Sequence, residues 1–143
     1  MEVELETSFD LNSRVLPDDI SLQMIDFQGN VYFETTGKWL HPLFDLEIFI
    51  KEKGVDTTGY VLHDRIAGKA AAAITTRLGF RYAKAEMMSM LAASLYEHHG
   101  VRYTYTTLID RIMCQTESLF ENIDDVNEIY RLVEQRRNTI RIK

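Results

Sequence analysis

The sequence predicts an α/β fold built on a five-stranded mixed sheet, and three observations carry that prediction. Two short apolar stretches flank Gln28-Gly29-Asn30, the pattern of a β-hairpin. Behind the hairpin, strand-like and helix-like stretches alternate at intervals that suit strand-helix-strand units, for which parallel strands and right-handed crossovers are the rule. Gly54, Gly79 and Gly100 stand where the helical stretches should end. Helices layered over a sheet follow from that alternation.

Taken in order, residues 1–18 alternate acidic and apolar residues before Pro17-Asp18-Asp19, which predicts a mobile or loosely docked arm. The hairpin strands are expected over 20–27 and 31–35, with Gly29 supplying the positive φ of the turn. A helix should open at Pro42, whose fixed φ suits a first helical position, and run to Gly54, burying Leu43, Leu46, Phe49 and Ile50. Three further strands are expected at 59–63, 80–85 and 101–106, with helices at 68–78 and 89–99 between them. Residues 118–137 close the chain as a charged amphipathic helix, with Leu119, Ile123, Val126, Ile129, Tyr130 and Val133 at helical spacing. Residues 19–143 thus read as one domain, and a chain of 143 residues buries a full core without metals or disulfides as staples.

Composition narrows the function classes. Hydrophobic residues at 45% and charged residues at 27% are ordinary for a globular protein. A net charge of -6 opposes binding to a nucleic-acid polymer, which normally needs a concentrated basic face. The basic cluster Arg136, Arg137, Arg141 and Lys143 reads as a solvated helix end whose cations suit the local dipole. Cys114 is the single cysteine, which excludes an internal disulfide and a thiolate-rich zinc site and points to a reducing, cytoplasmic setting. The acidic amino terminus lacks the features of a signal peptide, and no apolar run approaches the ~20 residues that span a bilayer, so no membrane partner is expected.

Chemistry concentrates between Asp64 and Ala73, where Asp-Arg-Ile-Ala-Gly-Lys leads into four alanines directly behind the strand-like Tyr60-Val61-Leu62-His63. Free N–H groups and the positive end of the dipole gather at such a helix start, so a polar or anionic ligand can be held there. Small side chains at Gly68 and Ala70–Ala73 serve close helix-sheet packing equally well. Lys69 in the first turn opposes the dipole by ~0.3–1 kcal/mol unless a negative group compensates. Asp64 is the nearby candidate, as a site residue or as half of a structural ion pair.

Gly68-Lys69-Ala70 is not a phosphate-binding P-loop, because His63 stands at the position of its first glycine and Ala70 at that of its Ser or Thr. No dinucleotide fingerprint occurs. Among the histidines, His41 and His63 can face the same pocket, whereas His98-His99 suits a helix end; no H-E-x-x-H or H-x-E spacing is present. Cys114, ahead of the final helix, is either a nucleophile with a lowered pKa or an inert small hydrophobe. Met87, Met88, Met90, Tyr103 and Tyr105 read as core or interface residues.

Three segments, Gly37-Lys38-Trp39-Leu40-His41-Pro42-Leu43, Asp64 to Ala72, and Tyr103-Thr104-Tyr105 with Cys114-Gln115-Thr116-Glu117, resemble a small bacterial family of unknown function with a cytidine-deaminase-like fold. That resemblance implies a three-layer α/β/α arrangement without the deaminase zinc ligands. Zinc deaminases open two helices with His/Cys-x-Glu and Pro-Cys-x-x-Cys; here those starts carry His41-Pro42-Leu43 and Ile66-Ala67-Gly68-Lys69. Gln115 follows the cysteine where the family has proline, and His41 precedes Pro42 where arginine is usual. The location of a pocket between two helix starts is what the resemblance implies. The expected function is binding of a small polar or anionic, nucleotide-related ligand by His41, His63, Gly68 and Lys69, with no metal or cofactor. If the domain is catalytic, Asp64 is the base or orienter, Lys69 the charge stabiliser and Cys114 the nucleophile. The alternative is a non-catalytic structural or interaction module, with Tyr103, Tyr105 and the final helix forming a homodimer surface.

Overall fold

The computed structural model describes residues 10–112, 117 and 120–142. Its strands are β1 (Leu22–Ile25), β2 (Val31–Thr35), β3 (Val61–Ala67), β4 (Tyr82–Ser89) and β5 (Arg102–Ile109), and its helices are α1 (His41–Lys53), α2 (Lys69–Arg77), α3 (Met90–His98) and α4 (Val126–Ile142). The strands form one mixed sheet in the order β2-β1-β3-β4-β5. β1 is antiparallel to both neighbours, whereas β3, β4 and β5 run parallel. The predicted α/β class and five-stranded mixed sheet are therefore what the chain forms.

Local signals worked where they were complete. Gly29 turns the hairpin with φ 90°, and Pro42 sits in the first turn of α1, which Gly54 closes in the left-handed conformation. Ser89 caps α3 by accepting the Ala92 N–H. Long-range pairing moved other boundaries. β3 runs to Ala67 rather than stopping at His63, because Asp64 lies in register with Leu22 on one side and Ala85 on the other. Residues 57–59, expected partly as strand, form a 3-10 turn instead. Within the region expected to be one helix from Ser118, Asp125 accepts the N–H groups of Asn127 and Glu128 and so starts α4 at Val126.

Alternation along the strands divides the sheet into two unlike faces. One face sends Leu22, Met24, Leu62, Ala83, Ala85 and Tyr103 into a core shared with all four helices. Ala70–Ala73 lie at the centre of that core, and their small side chains let α2 approach α3 and α4 closely. The other face carries Gln23, His63, Lys84 and Thr104, all buried, beneath the segment Asp10–Leu16. Seven residues of the arm predicted to be mobile or loosely docked lie against the sheet: Leu11 and Leu16 are each 2% exposed, and Arg14 and Asn12 bond the sheet. Its polar residues gave no sign of this because their partners lie far along the chain.

Candidate functional site

A cavity of about 370 Å³ opens between the residues leading into α1 and the junction of β3 with α2. Its walls are mostly apolar, with Trp39, Leu40, Leu43, Ile66 and Ile112 prominent, and Asp64 and Ser21 reach it from the sheet. The volume is that of a small-molecule pocket. Trp39 stands at its rim with φ 57°, a left-handed backbone that costs a bulky residue ~1 kcal/mol or more and persists only where the surroundings hold it. Its ring packs edge-on against His41 at 5.4 Å and Phe44 at 6.0 Å.

Asp64 is the chemically distinctive wall residue. Its carboxyl meets the backbone N–H groups of Arg65 and Ile66, and among the described residues no side chain hydrogen-bonds or ion-pairs with it. Burial penalises the charged form more than these contacts favour it and pushes the carboxyl up to about 7. A carboxyl with that value is partly protonated at neutral pH, so it can donate or accept a hydrogen bond. The neighbouring Arg65 turns away, donating to the carbonyl of Ile20 from Nε at 3.0 Å and from Nη2 at 2.7 Å, which pins the lead into β1.

The start of α2 already holds an anion. Glu117, 2% exposed, accepts the Lys69 N–H and the Ser89 hydroxyl on Oε2, each at 2.6 Å, and the Ile112 N–H on Oε1 at 2.7 Å. One carboxylate thus ties the starts of α2 and α3 to the segment leaving β5, and it satisfies a helix-start N–H that was expected to bind a ligand. Gly68 makes this possible: a Cβ there would lie 2.9 Å from Glu117 Oε2. The Lys69 ammonium, 2% exposed, bonds Asp124 Oδ1 and the Glu121 carbonyl, both at 3.0 Å. The compensation that Lys69 needed comes from these carboxylates, not from Asp64.

The sequence model of TM1506, Domain of unknown function (DUF1893), matches residues 17–136. The chain belongs to this family. It is similar to the crystal structure of a DUF1893 family protein (TM1506) from Thermotoga maritima, with 27% identity and a TM-score of 0.70 over 82% of this chain and 81% of that one. No curated protein matches.

On this DUF1893 chain the sequence-predicted residues separate into three groups. Asp64 and Gly68 line the cavity, and Lys69 contributes to its wall while its ammonium is engaged elsewhere. His41 is exposed and reaches Trp39 rather than the cavity. His63 is on the opposite face, fully buried between Arg14 Nη1 and Glu86 Oε2, each at 2.7 Å. Burial lowers its pKa to about 4, so it is neutral, with Nδ1 accepting from Arg14 and Nε2 donating to Glu86. Consecutive residues of a strand point to opposite faces, which is why His63 and Asp64 do not meet. Cys114 lies outside the described residues.

Tyr103 is 6% exposed, stacks on Tyr96 and donates to Glu97 Oε1 at 2.8 Å, so it belongs to the core and not to an outer dimer surface. Glu117, Trp39 and Ser21 were missed as site residues. Glu117 left one trace in the sequence, the acidic position of Cys-x-x-Glu. Among the described residues no three His, Cys, Asp or Glu side chains gather as a metal site, and no helix is long and apolar enough to cross a membrane.

Proposed function

We propose that this chain is a zinc-free, cytidine-deaminase-like binding domain whose cavity takes a small ligand with an apolar or planar body and a hydrogen-bond-donating head, such as a ring N–H, amine or amidine. The observation that carries this reading is the Asp64 carboxyl, exposed to an apolar cavity with no side-chain partner from the described residues. A half-buried polar group in that condition gains when a ligand supplies the missing bond. The occupant is a donor and not the anion expected from the helix start, because Glu117 already fills that role and an anion would face the Asp64 carboxyl across a mostly apolar cavity. The strand order and the position of the cavity between the starts of α1 and α2 support the deaminase-like reading. A carboxyl poised near 7 is also matched to proton transfer at neutral pH, so a reaction in this cavity would run through Asp64.

Thermal-shift titration with nucleobases, nucleosides and small aromatic amines and amidines tests this, since a ligand that binds the native state raises its stability by mass action. A saturable rise for one class, lost in Asp64→Asn, is expected. Stabilisation that survives Asp64→Asn, or none from any of these classes, removes the proposal. The second reading, a non-catalytic module, draws on the start of α2, where Glu117 takes the Lys69 backbone N–H while Asp124 and the Glu121 carbonyl engage its ammonium.

A further inference from the structure

Trp39 is the single aromatic among the described residues that line the cavity; the other large apolar side chains there, Leu40, Leu43, Ile66 and Ile112, are aliphatic. Its backbone is also singular. Every other positive φ among the described residues belongs to a glycine, which takes that conformation without a Cβ penalty, whereas Trp39 holds φ 57° with a bulky side chain. Glycine or asparagine would make the same turn with less strain, so the turn alone does not call for an indole. The chain on either side fixes the conformation. The Ser21 hydroxyl donates to the Gly37 carbonyl at 2.8 Å, and the Leu40 carbonyl accepts the N–H groups of Leu43 at 3.0 Å and Phe44 at 3.2 Å. T-shaped contacts with His41 and Phe44 then orient the ring. Strain held in place at a position that lines a cavity is a mark of a pre-organised site.

We propose that Trp39 is the specificity-determining residue of the cavity, and that it selects a ligand whose donor head is carried on a planar, unsaturated ring over one that carries the same head on a saturated ring. The inference rests on the reading of Asp64 as acceptor of the head and assigns the body of the same ligand. Aliphatic walls accept any apolar body of suitable size and discriminate weakly by shape. An indole adds quadrupole and dispersion contacts that a flat ring meets over its whole surface and a puckered ring does not. Because the backbone and its neighbours already orient Trp39, little side-chain freedom is left to be lost when the ligand binds.

Matched probes that keep the head and change the ring test this: benzamidine against cyclohexanecarboxamidine, benzylamine against cyclohexylmethylamine, and uracil against dihydrouracil. Affinities are measured by calorimetry on the full chain. Trp39 is its single tryptophan, so the emission of the protein reports directly whether a bound probe reaches the ring. In at least one pair the planar member should bind about ten-fold tighter than its puckered counterpart and change the Trp39 emission. Trp39→Leu should bring that pair to within about two-fold and Trp39→Phe should keep part of the preference, whereas Asp64→Asn should weaken both members alike. If the ring served only to cover the core, Trp39→Leu would lose stability with the preference unchanged, and that result overturns the proposal. Equal affinities within every pair, or unchanged emission at saturation, overturn it in the unsubstituted protein, so the decision stands even where Trp39→Leu fails to fold. With binding still lost in Asp64→Asn, those two outcomes leave the Asp64 reading in place. No binding by any probe removes both.

Discussion

His63 and Asp64 are neighbours on one strand, the first fully buried and the second half-buried at the cavity, and they present opposite chemistry. His63 has a protein partner on each ring nitrogen and is held neutral below its usual pKa. Asp64 has none from a side chain and is held partly protonated above its usual pKa. The difference shows what separates structure from available chemistry in this molecule. On the arm side Gln23, His63, Lys84 and Thr104 are each matched by another part of the chain, whereas on the cavity side the Asp64 carboxyl has no side-chain partner among the described residues.

The largest expected effect comes from the frame that keeps the cavity side rigid. Glu117→Ala leaves the Lys69 N–H, the Ser89 hydroxyl and the Ile112 N–H without their acceptor. A loss of about 4 kcal/mol in urea unfolding is expected from three buried donors of that kind. A change within experimental error would mean that water from the cavity replaces the carboxylate, and the frame would then be part of the binding site.

Arg14→Ala probes the opposite face and should cost about 2–3 kcal/mol, the worth of two bonds from a charged group. Its signature is regional: faster amide exchange over residues 10–16 with the cavity-side helices unchanged. Arg14→Lys should recover little, because an ammonium cannot span Gln23 and His63 as the guanidinium fork does. Uniformly faster exchange would show that the two faces are one cooperative unit and would erase the distinction drawn between them.

Gly68→Ala returns to the cavity side with a smaller perturbation. The added methyl would sit 2.9 Å from Glu117 Oε2 and 3.2 Å from Ile112 Cγ1, so the carboxylate must shift. About 2 kcal/mol of destabilisation is expected from overpacking at such a contact. Gly59→Ala, where nothing lies within 4 Å, is the matched control. Equal effects in the two variants would remove close approach of Glu117 as the reason for glycine at position 68.

How far these features were legible follows from how far apart their parts lie. The hairpin turn, Pro42, Gly54 and the Ser89 cap act within a few residues, so their positions could be read directly. The end of β3 could not, because Asp64 is strand only by virtue of Leu22 and Ala85 beside it. Asp64 could be singled out in the sequence while its setting could not: the expected partner Lys69 pairs with Asp124, 55 positions along the chain. Glu117 meets Lys69 across 48 residues, and Asn12 meets Thr104 across 92. Neither separation leaves a periodicity or motif behind it.

The smallest effect is the one that tests the opening comparison most directly, through the slope of stability against pH. For Asp64, with a folded value of about 7 against an ordinary 3.8, the native state holds the proton that the unfolded chain releases, so stability is full below pH 4 and is lost as pH rises towards 7. For His63, with a folded value of about 4 against an ordinary 6.5, the unfolded chain takes up the proton first, so stability is full above pH 6.5 and is lost as pH falls towards 4. Between pH 4 and 6.5 the two contributions oppose and mask each other in the wild-type profile. Single substitutions should unmask them. Relative to wild type, Asp64→Asn should gain stability with rising pH, reaching about 1–2 kcal/mol at pH 8 once partial access of water to the cavity is allowed for. His63→Gln should tilt the difference the other way, on top of a pH-independent loss from its broken bonds. Urea midpoints at half-unit pH steps would resolve both slopes. Slopes of the same sign would mean that Asp64 is ionised in the folded chain, and the cavity would then hold a carboxylate already satisfied by water instead of a carboxyl waiting for a donor.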